Sequence, residues 1–64
     1  MDKSRMLNGD VLREYGFAVS PALDKVRDSQ GHWYSMAWSY HLQRYESSAA
    51  HVDAVLCLAA VSLQ

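Results

Sequence analysis

From residue 34 to residue 42 the chain alternates without a break. Tyr34, Met36, Trp38, Tyr40 and Leu42 are large and apolar, and Ser35, Ala37, Ser39 and His41 between them are small or polar. Side chains of a strand point to opposite faces in turn, whereas those of a helix repeat every 3.6 residues. Read as a helix, the same segment splits its aromatics, with Trp33, Met36 and Tyr40 on one side and Tyr34, Trp38, Leu42 and Tyr45 on another. Serine, histidine and the aromatics are mediocre helix formers, and tryptophan and tyrosine favour strands. The alternation predicts a strand over residues 32–43. Tyr34, Met36, Trp38 and Leu42 on its even face are expected to meet a core.

The segment before it supports a hairpin. "RDSQGHW" places Asp28 and Gly31 at the first and fourth positions of a type I turn, so that Val26 and Arg27 pair with the start of the aromatic strand. "YGFAV" offers a further short strand with Phe17 and Val19 on one face. A competing signal overlaps this one: "SPALDKV" has Ser20 as a helix N-cap and Pro21 at the first helical position, with Gly31 as the stop. On that reading residues 21–30 are helical and the fold is an all-α hairpin or bundle. The sequence leaves both open.

Helices are expected at the two ends. Met6, Leu7, Val11, Leu12 and Tyr15 fall at three- and four-residue intervals before Gly16, a C-terminal stop. Asn8-Gly9 is a turn signal, so the helix is expected from Asp10, as N-cap, to Tyr15. The segment after Ser47 or Ser48, either of which could cap it, contains neither glycine nor proline and sets Val52, Val55, Leu56, Ala59 and Leu63 on one stripe. Ala54, Leu58 and Val61 lie well round from that stripe. A helix apolar on most of its circumference is normally buried on most of it. A chain of 64 residues offers only one layer to cover it, and the surplus face points to a second chain.

These elements define an α+β fold over a single domain, residues 1–64: a short N-terminal helix, an antiparallel β-hairpin or small meander, and a C-terminal helix packed on one sheet face. A domain of this size has a small core, which disulfides, a metal or oligomerisation commonly supplement. Cys57 is the only cysteine, so no disulfide forms within one chain, and a lone thiol suits a reducing, cytoplasmic setting. His32, His41, His51 and Cys57 show no paired ligand spacing; Asp53 and Cys57, four apart, are read as a polar helix edge and not as a metal site. No cofactor motif is present. The longest apolar run, "AVLCLAAV", is far shorter than the roughly 20 residues that cross a bilayer. Oligomerisation or a partner is the remaining support.

Three function classes remain to be weighed. An enzyme would need a site geometry that no motif supplies. Cys57 lies in an apolar segment expected to hide it, and Asp53 near His51 does not specify a triad. A nucleic-acid-binding module could stack bases on sheet aromatics, but six Lys and Arg stand against seven Asp and Glu, and Asp24 and Asp28 alternate with Lys25 and Arg27. That interspersion argues against nucleic acid. The class expected is a non-enzymatic protein–protein interaction module that self-associates as a homodimer or acts as adaptor or inhibitor of a larger protein. Its contact residues are expected to be Ala54, Leu58 and Val61 on the surplus helix face. Trp33 joins them, since it is a large aromatic among the small residues of the odd strand face.

Overall fold

The computed structural model describes residues 7–62. Helix α1 (Gly9–Glu14) leads into a meander of β1 (Ala18–Val19), β2 (Lys25–Arg27) and β3 (Trp33–Ser35). A separate hairpin of β4 (Ala37–Ser39) and β5 (Arg44–Glu46) follows, and helix α2 (Ala50–Val61) closes the fold. The architecture is the α+β arrangement that the sequence predicts. All pairing is antiparallel, in the orders β1-β2-β3 and β4-β5.

The N-terminal helix begins earlier than expected. Asn8, and not Asp10, is the N-cap: its side-chain oxygen accepts from the Asp10 amide at 3.0 Å. Gly16, at φ +83°, takes the left-handed conformation that ends the helix. Leu12 is buried, whereas Tyr15 at the C-cap is exposed, and Met6 lies outside the described residues.

Residues 21–30 contain no helix. The Ser20 hydroxyl accepts from the amides of Asp24 and Lys25 and donates to the Asp24 carboxylate, so it closes a tight turn where a helix cap was the alternative. Leu23, at φ 60°, sits in the left-handed region inside that turn, which a continuing right-handed helix does not allow. The next turn forms where the sequence places it. The Gly31 amide donates to the Asp28 carbonyl, and the register sets Val26 against Tyr34 and Arg27 against Trp33.

The strand expected over residues 32–43 is broken in two. It stops at Met36, whose amide donates to the Asp24 carbonyl at 2.9 Å, and resumes as β4, which pairs with β5 instead of with the meander. From Tyr40 to Gln43 the chain turns, with Gln43 at φ 58° and the Leu42 amide on the Ser39 hydroxyl. The reason is length. Residues 32–43 fully extended would reach about 40 Å, while a 12-residue helix covers about 18 Å. A single strand would carry half of its apolar face beyond the helix. The break keeps Met36 buried and Tyr34 and Trp38 half-buried, and it leaves Leu42 at 45% and Tyr40 at 74% exposure outside the core.

Helix α2 starts from Ala49, which makes no side-chain cap bond, and not from Ser47 or Ser48. Asp53 acts in their place by reaching back to accept from the Ser47 amide at 3.1 Å, so a first-turn carboxylate satisfies a backbone donor ahead of the helix. The core consists of Leu12, Val26, Met36, Tyr45, Val52, Val55, Leu56 and Ala59. It therefore gathers side chains from α1, β2, the Met36 break, β5 and α2. The start of α1 is tied to the end of α2 by Asn8 Nδ2 donating to Ser62 Oγ at 2.9 Å.

Candidate functional site

The residues expected to contact a partner are all exposed, and they lie on two different surfaces. At 100° per residue, Ala50, Ala54, Cys57, Leu58 and Val61 fall within about a 100° sector of α2 opposite Val52, Val55, Leu56 and Ala59. The inner four are buried; Leu58 is 48% and Val61 59% exposed, and Ala50 and Ala54 are exposed with them. Cys57 also opens on this outer face. That corrects the expectation that its apolar segment hides it: the neighbours that bury a side chain are those across the helix axis, not those beside it in sequence.

Both polar side chains at the rim of this face turn away from it. Asp53 makes a paired contact with Arg44 of β5, Arg44 Nη1 to Oδ1 at 3.0 Å and Nη2 to Oδ2 at 3.3 Å. The Arg44 guanidinium, together with the Ser47 amide, holds the Asp53 carboxyl below its ordinary range, and the same contact raises Arg44. On the other rim, the His51 ring meets Tyr34 edge-on at 5.1 Å and Phe17 at 6.5 Å. What remains between them is an apolar surface without a charged group.

Trp33 stands elsewhere. Its neighbour Tyr34 faces α2 through His51, and successive strand residues point to opposite faces, so Trp33 projects from the side of the meander away from the helix. It is 54% exposed, and the Arg27 guanidinium of the adjacent strand lies 5.7 Å from its ring centroid. Lys25 shares that outward face with Arg27, since Val26 between them is buried. Sequence reasoning missed this grouping, although the period of two in "DKVRD" contains it: Lys25 and Arg27 go to one side, and Asp24, Val26 and Asp28 to the other.

Asp28 is occupied by the β2–β3 turn. Its Oδ1 accepts from the amides of His32 and Gln30, both at 2.9 Å, and its Oδ2 accepts from the Tyr34 hydroxyl at 3.1 Å and lies 3.4 Å from His32 Nδ1. The His32 amide is the main cause that lowers the Asp28 pKa, helped by Gln30 and Tyr34. Tyr34 is raised in turn, first by burial and then by its bond to Asp28.

Among the described residues, no three His, Cys, Asp or Glu side chains gather as a metal site, and no helix is long and apolar enough to cross a membrane. No protein family, curated protein or solved structure matches the chain.

Proposed function

We propose that this protein is a non-enzymatic interaction module that pairs with a second copy of itself through the outer face of α2. The observation that carries the reading is the exposed sector of Ala50, Ala54, Cys57, Leu58 and Val61, which no charged group interrupts. A two-fold interface sets a surface against its own image. A charge on it would meet a like charge, and this face has none to repel.

The spacing suits helix pairing. Ala50, Ala54, Cys57 and Val61 follow steps of four, three and four, a heptad seam with Leu58 beside it. In an antiparallel pair Ala50 opposes Val61 of the second copy and Ala54 opposes Cys57, so small side chains meet larger ones. One helix face is smaller than the roughly 800 Å² that each partner contributes to a standard stable interface, and association is therefore concentration-dependent. The same surface would let the module act as adaptor or inhibitor of a larger protein in the cytoplasm, where the Cys57 thiol stays reduced.

Sedimentation of the purified protein over a wide concentration range tests this. The expected result is a monomer–dimer equilibrium that Leu58→Asp abolishes while the circular dichroism spectrum stays unchanged. A monomer at every concentration overturns the reading.

A further inference from the structure

The outward face of the meander carries Ala18, Lys25, Arg27, Trp33 and Ser35, all exposed, with Ala18 and Trp33 on either side of Arg27 and Ser35 beside Lys25. We propose that this face binds single-stranded nucleic acid, with Trp33 stacking on an unpaired base and Lys25 and Arg27 holding the flanking phosphates. The site is independent of the α2 surface and lies away from it.

Four observations converge on that ligand. First, the two cations lie two residues apart on one strand, about 6.6 Å along it, a spacing suited to neighbouring phosphates of an extended chain. Second, the Trp33 ring has Arg27 near it at 5.7 Å and is still more than half exposed, so ring surface remains for a base. Third, Ala18 and Ser35 are small and leave the ring and the cations standing above their surroundings. Fourth, the acids that flank these cations in sequence have hydrogen-bond partners of their own: Asp28 in the hairpin turn, Asp24 on the Ser20 hydroxyl. Neither Lys25 nor Arg27 forms an ion pair among the described residues. Asp28 is thereby held on the Tyr34 side of the sheet, opposite the two cations. An acidic peptide would meet the cations and leave the ring without a planar partner, whereas an unpaired nucleotide engages both.

The test is anisotropy of a labelled oligothymidine titrated with the full chain at several salt concentrations. Two neutralised phosphates give a slope of log K against log salt of about −1.4, and Lys25→Gln or Arg27→Gln should each reduce it by about 0.7. Trp33→Ala should weaken binding about five- to a hundredfold without changing the slope. All three side chains are exposed, so circular dichroism of the variants should match that of the parent. Absence of binding at low salt overturns the proposal. So does binding that Trp33→Ala leaves unchanged, or that poly-glutamate matches, because either result reduces the face to a general polyanion contact.

Discussion

The two sides of α2 are made of nearly the same residues and meet opposite fates. Val52, Val55, Leu56 and Ala59 on one side are buried, while Ala54, Cys57, Leu58 and Val61 on the other are open to solvent. Side-chain type does not separate them. What separates them is the other half of the contact: β5 and α1 pack against the inner side, and no described residue covers the outer one. In a domain this small, one apolar helix can supply the core with one side and keep apolar surface to spare on the other, because the described elements cover a single side of it.

A charge placed on each side tests that comparison most severely. Leu56 is fully buried, and Leu56→Asp should unfold the domain. The buried carboxylate costs several kcal/mol, against the roughly 3–5 kcal/mol that a core of this size contributes. Loss of the helical circular dichroism signal would report it. Leu58→Asp, two residues on, should change stability by less than about 0.5 kcal/mol in a urea melt while abolishing association in sedimentation. If both variants unfold alike, the two sides are not distinct.

The rim contact between helix and hairpin should show a smaller effect. Arg44→Ala removes a two-bond, half-buried partner of Asp53 and should cost about 1–2 kcal/mol in a urea melt, with little effect on the proposed self-association. Acid should act through the same contact. The folded-state pKa of Asp53 lies below its ordinary value of 3.8, so its contribution is fully present above that pH and is lost as the pH falls through the lower folded value. Asp28 is lowered in the same direction. Stability should be level from neutral pH to about 5 and decline below about 4, and Asp53→Asn should flatten part of that decline. The smallest effect expected is on Cys57 itself. A thiol reagent should modify it in dilute native protein without unfolding, and the rate should fall as concentration rises if association covers the outer face.

Much of this arrangement is legible in the sequence where a period is long enough to count. The inner stripe of α2 from Val52 to Ala59 follows from helical spacing over two turns, and Leu63, expected to continue it, lies outside the described residues. The β2–β3 register follows from Asp28 and Gly31, because a turn with defined ends sets every pair behind it. The break at Met36 is not legible, since the alternation of large and small residues runs straight through it. Its cause, the finite length of the covering helix, belongs to another part of the chain. The hairpin strand β5 escaped for a related reason: Tyr45 is its only apolar residue, and one residue makes no pattern. Ser20 leaves two readings open in the sequence, because a hydroxyl that accepts backbone amides suits a helix start and a tight bend alike; Leu23 in the left-handed region decides for the bend.

On the meander, the size of Trp33 among small neighbours marks it in the sequence, while its cationic companions do not stand out there. The charges of this stretch cancel along the chain, whereas the period of two places Lys25 and Arg27 together. The α2 face was legible from the helical period alone, apart from Cys57, whose exposure depends on which side of the axis is covered.

The bond between Asn8 and Ser62 at 2.9 Å makes the fold nearly circular. Entry and exit of the described chain share one spot, so the module can be spliced into a surface loop of another protein without prising its host's loop ends apart. A circular permutant opened between Tyr40 and Gln43, in the exposed turn, and joined across the original ends by a short linker, should fold to the same structure.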